Sequence, residues 1–595
     1  MPNAATPSLA RIYRLVPAFD SLRRYRPSDA RSDVLAGLTV AAVAVPQAMA
    51  YAMIIEVPPI YGLYTAIVMT AIGALFDSSR QLINGPTNAI SIAVLSAVAV
   101  VVDPEQRLAA IFLMTFMIGS IQLAIALFRF GDLTRFISHS VIVGFTLGAG
   151  TLLVTDQMKN LLGMKAMGGP HDHLLVRFWL SMTEGGGIHP ETALIGLGTI
   201  ALVLLLRGLK RWLRMPLLPE LFIVVCVMAT ACAWLGLEER GVRVVGAIPA
   251  SLPEFRLPVF DAVKIQQFAG DALAIALLGL LEAIAMAKAI AAQTRQKLDM
   301  NQQCLSEALA NLGGSLYQCI PGSGSLTRSA INQQAGAATQ WSGVISAAGV
   351  AAIMMIFAPY AQHLPRAALA GILVVASWGM IDWRSLAFHW RATHFDAAII
   401  AATAFSALAI SVEFCVMIGV LMSFVLTVPR AGRMLLTQFV VSTEGSIHER
   451  LPDDIPCRKL LIFGLEGEFF FGAMSAMERH FDAIESQVSP DTEVIVLRLK
   501  RVRNPDAVAL AELKQFLLRM KACGVHVLMC GVGHDLHSAM QRAGMSGRLD
   551  EQVFLEQRVR QTSTMRAIRH AYQLLGGRCK TCPWHNGETG RQAGA

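Results

Sequence analysis

The chain has 595 residues, of which 54% are hydrophobic and 15% are charged, and its mean hydropathy is +0.51. Because soluble proteins carry about 25% charged residues, this composition excludes an ordinary soluble globular protein. The ten cysteines are scattered and several lie inside apolar runs, which argues against a disulfide framework. We attribute the net charge of +8 to basic residues in cytoplasmic loops rather than to nucleic-acid binding.

The charged residues divide the chain into regions. From Asp33 to about Pro429, apolar runs alternate with short polar breaks, whereas the composition becomes ordinary after Arg430. The first residues lack the apolar core of a signal peptide, so no cleavable signal is expected. The sequence therefore predicts a cytoplasmic N-terminal segment, a transmembrane domain, a soluble domain and a disordered tail, over 1–32, 33–430, 445–577 and 578–595.

Fourteen apolar runs in the transmembrane domain predict membrane-spanning helices. They cover 33–56, 60–76, 87–102, 106–129, 134–158, 188–207, 217–236, 268–292, 301–318, 325–336, 341–360, 365–382, 395–411 and 412–429. The expected fold class is a polytopic α-helical membrane protein with 14 transmembrane segments as 7+7 inverted repeats, because an odd number of spans inverts the second set. The last two runs are also compatible with one bent helix.

Basic residues accumulate in alternate loops, which sets the predicted orientation. They are Arg23, Arg24, Arg26, Arg31, Arg129, Arg135, Arg207, Lys210, Arg211, Arg214, Arg295, Lys297, Arg384, Arg391, Arg430 and Arg433. This pattern predicts a multi-pass protein of the inner (plasma) membrane with both termini and the soluble domain in the cytoplasm.

The third and tenth runs hold matching positions in the two sets, and both are short and follow a Gly/Pro break, "INGPTNAIS" at 83–91 and "IPGSGSLTRSAIN" at 320–332. Paired interrupted segments of this kind are the best sequence indication of a transporter's central site. Helices that begin at Thr87 and Ser325 would direct free N–H groups and positive dipole ends toward an anion. The alternative is that these small residues only permit tight helix packing.

Polar side chains beside the two breaks are candidate ligands for the anion. Thr87, Asn88, Ser325 and Thr327 can add donors, and Arg328 adds a fixed positive charge that needs an anion or a carboxylate as its partner.

The first run supplies two further candidates. Gln47 and Tyr51 are four residues apart and share one helix face, so we expect them to line the cavity, although Tyr51 is also compatible with an interfacial aromatic. In the eighth run, Glu282 is an acid within an apolar helix. It is predicted either to accept a proton as the anion binds or to form a permanent ion pair with Arg328.

After the membrane runs, strand and helix patterns alternate through "KLLIFGLEGEFFFGAMSAMERHFDAI", "TEVIVLRLKRV", "DAVALAELKQFLLRMKACG", "VHVLMCGV" and "HDLHSAMQRAGM". This alternation predicts a small α/β domain. In the tail, Cys579, Cys582 and His585 form a weak metal motif, and a disordered tail is the favoured interpretation.

Several motifs resemble the SulP sulfate-permease family, relatives of the animal sulfate, chloride and bicarbonate exchangers and of prestin. They are "DVLAGLTVAAVAVPQAMAYAMIIEVPPIYGLYTAIV", "GPTNAIS", "LLEAIAMAKA", "GSLTRSAINQQAGAATQWSG" and "LPRAALAGILVVASWGMID". The resemblance implies a core domain that moves against a gate domain in an elevator-like motion, and a homodimer. By motif position it implies substrate contacts at Gln47, Tyr51, Thr87, Asn88, Ser325, Leu326, Thr327 and Arg328, and ion coupling at Glu282.

The soluble domain is similar to the STAS domain that ends most members of this family. In related regulators a phosphorylatable Ser follows an Asp at the helix start, whereas here Asp506 is followed by Ala507 and Val508. A phosphoserine switch is therefore not expected, and a cytoplasmic protein partner or a dimer contact is.

The leading functional hypothesis is a secondary active transporter of a small inorganic anion, sulfate or bicarbonate first, with a proton or sodium co-ion. The alternatives are an uncoupled, voltage-responsive anion channel and a membrane-tethered STAS regulator. No Walker A loop or nucleophile triad is visible, so neither ATP drive, nor an enzyme, nor a cofactor is expected.

Overall fold

The computed structural model describes residues 15–23, 25–130, 138–165, 167, 174–213, 219–246, 248–410, 412–442, 446–454, 457–545, 552–557 and 562–576. Outside them lie the predicted tail motif of Cys579, Cys582 and His585 and the basic residues Arg24, Arg135 and Arg214. The described chain divides into two compact units, 1–423 and 424–595.

Within the described residues, seventeen helices and two very short strands precede the soluble domain. They are α1 Pro17–Leu22, α2 Pro27–Ile54, α3 Pro59–Phe76, β1 Asn84–Gly85, α4 Asn88–Val98, α5 Pro104–Leu127, α6 His139–Leu162, α7 Leu174–Glu184, α8 Pro190–Trp212, α9 Glu220–Trp234, α10 Ala262–Thr294, α11 Met300–Ser315, β2 Ser323–Gly324, α12 Leu326–Gln334, α13 Trp341–Ala361, α14 Arg366–Met380, α15 Trp383–Ala392, α16 His394–Ala409 and α17 Val412–Ala431.

A helix lies at each of the fourteen predicted runs. Within the described residues, nine helices are long and apolar enough to cross a membrane by length and composition, and α4, α9 and α16 are shorter apolar helices. The count of fourteen spans and their inverted repeat therefore stay predictions. Helix α1 precedes the first predicted run, and α7 and α15 lie between runs. The last two escaped the hydropathy pattern because they are short and apolar on one face only.

The membrane helices begin and pack as their sequences dictate. Prolines open α2, α3, α5 and α8, where the missing N–H costs nothing and the fixed φ suits a helix. Glycines allow close helix contact: a Cβ on Gly37 would lie 2.6 Å from the Ser342 carbonyl oxygen, and one on Gly144 would lie 2.7 Å from that of Ile400. Part of the glycine content thus serves close packing of helices.

The two Gly/Pro breaks pair with each other. Strand β1 runs antiparallel to β2, with Asn84 opposite Gly324 and Gly85 opposite Ser323. The Ser325 N–H extends this pairing by donating to the Ile83 carbonyl at 2.9 Å. Helices α4 and α12 therefore both begin beside one two-stranded ribbon, although the breaks lie more than 230 residues apart in the chain.

The second unit contains a six-stranded sheet. Its elements are β3 Leu435–Val441, β4 Ile447–Glu449, β5 Leu460–Glu468, α18 Met474–Glu485, β6 Val494–Arg503, α19 Ala507–Ala522, β7 His526–Val532, α20 His534–Arg542, β8 Val553–Leu555 and α21 Thr562–Leu575. The strand order is β4-β3-β5-β6-β7-β8, and β5 to β8 are parallel. Phe481 of α18 and Phe516 of α19 stack at 4.3 Å on one face, and Ile568 of α21 packs on the other.

Candidate functional site

The first break folds into β1 because its residues tolerate a sharp change of direction. Gly85 has φ +146°, a conformation that L side chains rarely adopt, and a Cβ there would lie 3.0 Å from Nη2 of Arg328. Thr87 then caps α4, and its hydroxyl accepts the Ile90 N–H at 3.4 Å. Glycine, proline and a capping threonine thus end the extended segment and begin a helix within four residues.

The second break is irregular backbone in the interior, so neighbouring side chains must bind its polar groups. Thr65 Oγ1 accepts the Ile320 N–H at 2.9 Å. Asn311 binds both backbone groups of Gly322, at 3.2 Å and 3.1 Å. The Ser323 hydroxyl donates to the Gly279 carbonyl at 2.7 Å. This break is therefore held in place by α3, α10 and α11.

The starts of α4 and α12 border a cavity of about 100 Å³. Six of the nine residues that the sequence singled out line it, namely Tyr51, Thr87, Asn88, Glu282, Ser325 and Thr327. The rest of the lining is mostly apolar and comes from α6, α10, α14 and α17, including Phe145 and Val416. The polar residues at the starts of α4 and α12 form one side of this cavity, which we call the cavity floor, and the other sides are mostly apolar.

Gln47 lies on α2. Gln47 is almost fully buried at 1% exposure, is not among the residues that line the cavity, and its Oε1 has no hydrogen-bond partner within the described structure. Leu326 is the first residue of α12, directly after the capping Ser325.

Arg328 is completely buried and does not line the cavity. Its Nη2 donates to the Pro86 carbonyl at 2.9 Å, while Nε and Nη1 have no hydrogen-bond partner among the described residues. The guanidinium group therefore joins α12 to the turn that precedes α4. Its charge interacts electrostatically with Tyr51 and Glu282, both of which face the cavity.

Glu282 binds Thr87 rather than Arg328. The Thr87 hydroxyl donates to Oε2 of Glu282 at 3.0 Å, and in the described structure the carboxylate forms no ion pair with Arg328. The predicted alternative of a permanent Glu282–Arg328 ion pair is thus not what the structure shows. The carboxyl group lies at the cavity and accepts a hydrogen bond from the residue that caps α4.

The sequence analysis missed two buried acids, Asp77 and Glu307, both 0% exposed. Asp77 accepts hydrogen bonds from Asn84 at 3.2 Å, Gln303 at 2.6 Å and Ser306 at 2.7 Å. Neither carboxylate oxygen of Glu307 has a hydrogen-bond partner within the described chain. An ionisable residue inside a predicted span was the signal that would have found Glu307.

A second polar cavity, of about 440 Å³, lies where α2 and α3 join, and its lining includes Glu56, Lys159 and Arg366. Glu56 forms ion pairs with Arg107 at 2.8 Å, Lys159 at 3.6 Å and Arg177 at 3.5 Å. Burial raises the pKa of Glu56, but the three cations outweigh it and hold that pKa below its ordinary value.

The family model described as "Sulfate permease family" matches residues 31–403, which include both breaks and every residue of the cavity floor. The chain belongs to the sulfate permease family. It is thus an anion transporter of this family and a multi-pass membrane protein, and the family comprises transporters, not enzymes. A second model, "STAS domain", matches residues 452–559 of the soluble unit.

Curated relatives of this chain are named sulfate transporters. A putative sulfate transporter, YvdB of Bacillus subtilis, is 29% identical over 88% of this chain and 96% of its own length. The chloroplastic sulfate transporter 4.1 of Arabidopsis thaliana is 28% identical over 89% of this chain and 79% of its own length.

Solved structures share the fold. The murine Slc26a9 anion transporter matches with a TM-score of 0.85 at 18% identity, over 96% of both chains. The transmembrane domain of the cyanobacterial bicarbonate transporter BicA matches with a TM-score of 0.57 at 24% identity, over 67% of this chain and 98% of its own. The predicted fold class, a helical membrane transporter fold with a C-terminal STAS domain, is confirmed.

The STAS unit departs from the phosphorylated regulators at the start of α19. Asp506 caps this helix by accepting the Ala509 N–H at 2.9 Å, and it also accepts the Phe471 N–H at 2.7 Å. Ala507 and Val508 are exposed after it, so no hydroxyl stands where the regulators carry their serine. The carboxylate has a structural role here as a helix cap.

Proposed function

We propose that this family member is a proton-coupled secondary active transporter of sulfate or bicarbonate, and that the anion binds in the 100 Å³ cavity between the starts of α4 and α12. The observation that supports it most is the pairing of β1 with β2. This pairing directs two helix N-termini to one small cavity, and helix N-termini favour anions through free N–H groups and their dipoles.

The cavity size favours a small inorganic ion. Its volume of about 100 Å³ equals the liquid share of about three water molecules. Sites for drug-sized organic ligands measure about 300–1,000 Å³. Sulfate, bicarbonate and chloride fit this size range, whereas a dicarboxylate is disfavoured.

The charges around the cavity support coupling to a proton. Arg328 attracts an anion, but Glu282 at the cavity wall repels it when ionised. Two unit charges about 5 Å apart repel each other by about 3 kcal/mol at an effective dielectric constant near 20, which is roughly a hundredfold in affinity. A proton on Glu282 removes this repulsion, so anion and proton bind together and an inward proton gradient drives anion uptake.

The remaining parts of the proposal follow the family resemblance. Alternating access is an elevator-like motion of one set of helices against the other, within a 7+7 inverted repeat, and the protein is a homodimer. The orientation expected from the basic loops places both termini and the STAS domain in the cytoplasm at the inner (plasma) membrane. Arg328 is proposed to act on the anion through its charge, from outside the cavity lining. Contacts of Gln47 and Leu326 with the anion are proposed from the resemblance alone, as is a cytoplasmic protein partner of the STAS domain.

The experiment measures uptake of labelled sulfate and bicarbonate by proteoliposomes with an inward proton gradient, an inward sodium gradient or neither. Wild type is expected to respond to the proton gradient, whereas Glu282→Gln keeps exchange at symmetric pH but no longer responds. Asp271→Asn is the matched control, because Asp271 is an acid of the same helix that does not line the cavity. An unchanged proton response in Glu282→Gln, or a response to sodium alone, contradicts proton coupling through this residue.

A further inference from the structure

Two buried carboxyl groups have no part in the mechanism proposed so far. Asp77 follows the last residue of α3, and Glu307 lies in the second turn of α11; both are 0% exposed. Among the described residues, neither has an ion-pair partner within 4.0 Å. Acids within membrane helices are costly and usually mark ion or proton pathways.

The hydrogen bonds around this pair are distributed unequally. Asp77 accepts from the Asn84 amide at 3.2 Å and 3.3 Å, from Gln303 at 2.6 Å and from Ser306 at 2.7 Å. Three side-chain donors are a suitable environment for an ionised carboxylate. Glu307 accepts no hydrogen bond of normal geometry within the described structure, because the side-chain amide of Gln303, one helical turn before it and within its reach, donates to Asp77.

A proton on Glu307 resolves this imbalance. An ionised carboxylate without donors or a counter-ion carries a large desolvation penalty, whereas a protonated carboxyl is neutral and supplies a donor. An unpaired acceptor is at hand, because Oε1 of Gln303 has no partner in the described structure and residues four apart share one helix face. The surroundings therefore favour a proton on Glu307 rather than on Asp77.

The other groups around Glu307 are few. Asp77 and Glu282 lie within electrostatic reach of it, and Cys304 is near it on the same helix. Helix α5 packs against α11 and has no charged residue after Arg107. No basic side chain of the described structure neutralises the three acids at this position, apart from the electrostatic interaction of Arg328 with Glu282.

Glu307 lies near the start of its helix. It is seven residues into α11, which corresponds to about 10 Å along the helix. Asp77 stands at the end of α3, where the adjacent Ser78 hydroxyl accepts the N–H of the exposed Asp299 at 2.7 Å. On the other side, Asn84 connects Asp77 to β1, the strand that leads to Thr87 and its contact with Glu282.

We propose that Glu307, together with Asp77, passes protons between the membrane surface at the start of α11 and Glu282 at the anion cavity. This inference rests on the proposed function, in which Glu282 binds the coupled proton. In each step one carboxyl O–H bond breaks and one forms on the receiving carboxylate, so that Glu307 takes a proton from the surface side and a proton reaches the ionised Glu282. No other reactant is needed.

The test compares Glu307→Gln, Glu282→Gln and wild type in proteoliposomes, by sulfate uptake under a proton gradient and by sulfate counterflow at equal pH. Glu307→Gln is expected to slow gradient-driven uptake by at least about tenfold, because proton delivery becomes limiting, while counterflow stays within about twofold of wild type. Glu282→Gln is expected to lose the response to the gradient altogether. Glu220→Gln is the matched control, because Glu220 is a buried acid that pairs with Lys210 at 2.8 Å, and it should match wild type.

The outcomes separate this inference from the proposed function. If Glu282→Gln loses coupling and Glu307→Gln behaves as wild type in both assays, the proton route through Glu307 is wrong and the proposed function stands. If wild type itself ignores the proton gradient, the proposed function fails first. A loss of counterflow in Glu307→Gln at unchanged thermal stability assigns this residue to anion binding and overturns the proton role.

A spectroscopic measurement covers the case in which Glu307→Gln does not fold. Infrared difference spectra of the wild-type protein upon a pH jump are expected to show the carbonyl band of a buried protonated carboxyl. The conservative Glu307→Asp variant keeps the carboxyl group and is expected to shift this band. A wild-type spectrum without the band, or a band that does not move in Glu307→Asp, overturns the proposal.

Discussion

The two broken segments are similar in plan and different in charge. Both consist of a two-residue strand and a capped helix, with Thr87 and Ser325 at the caps. The Thr87 hydroxyl also binds Glu282, whereas the second segment carries Arg328, which reaches back to the carbonyl of Pro86 in the first. The first segment therefore binds the acid that is proposed to take the proton, whereas the second segment itself contains the positive charge. The two segments are not interchangeable.

The largest expected effect comes from the charge of the second segment. Arg328→Ala removes the buried cation and leaves the Pro86 carbonyl unpaired, so we expect anion affinity to fall by about 2–5 kcal/mol and transport to be lost. Arg328→Lys keeps the charge and should retain part of the affinity. Sulfate binding by titration calorimetry, with thermal stability measured in parallel, checks both; unchanged affinity in Arg328→Ala would limit this residue to a structural role.

The next effect concerns the geometry of the first segment. Gly85→Ala puts a Cβ at φ +146° and 3.0 Å from Nη2 of Arg328, so it should cost about 1–3 kcal/mol of stability and impair transport as well. Gly186→Ala is the control, since Gly186 also has positive φ but nothing within 4 Å of its Cβ position. Equal losses of transport in the two variants would show that backbone strain alone, and not the contact with Arg328, explains the result.

The two caps offer a matched pair of variants. Thr87→Ala and Ser325→Ala each remove a helix cap and should each cost about 0.5–2 kcal/mol of stability. Thr87→Ala additionally frees Glu282, so we expect it to shift the pH dependence of uptake, while Thr87→Ser and Ser325→Ala should leave that dependence in place. The pH profiles of uptake decide this; profiles that shift equally in Thr87→Ala and Ser325→Ala would remove the functional distinction between the two segments.

The smallest expected effect lies away from both segments, at Glu56. Its folded-state pKa is below the ordinary 4.5, so its ion pairs contribute stability above that pH, and the contribution disappears as the pH falls through the lower folded value. Because the side chain is 36% exposed, we expect only about 0.2–1 kcal/mol. Glu56→Gln should therefore melt slightly earlier than wild type at neutral pH and equally at low pH; a constant difference across the pH range would contradict this origin.

The sequence was informative where local chemistry determines structure. Apolar runs placed the membrane helices, and Gly85, Pro86 and Thr87 marked the start of α4 because each residue has a strong local preference. The strand and helix alternation of the STAS domain was predictable for the same reason. Tyr51 and Thr327 also lie at the cavity, as expected from helix spacing and motif position.

Other features depend on contacts between distant parts of the chain. The pairing of Gly85 with Ser323 joins segments more than 230 residues apart, and no local pattern specifies it. Arg328 was expected at the anion, yet its side chain is fully buried, does not line the cavity and donates to the Pro86 carbonyl. Glu307 stands in the weakly apolar stretch "NQQCLSEALANLGGS", in which burial cannot be distinguished from exposure by composition.

The ribbon formed by β1 and β2 has a mechanical consequence for the transport cycle. Backbone hydrogen bonds and the guanidinium bridge tie the beginnings of α4 and α12 to each other, so neither can travel across the bilayer without its neighbour. An anion bound between them would keep the same ligands throughout the transport cycle. Access from either side of the membrane would then have to come from movement of the surrounding helices, not from a change in the binding site.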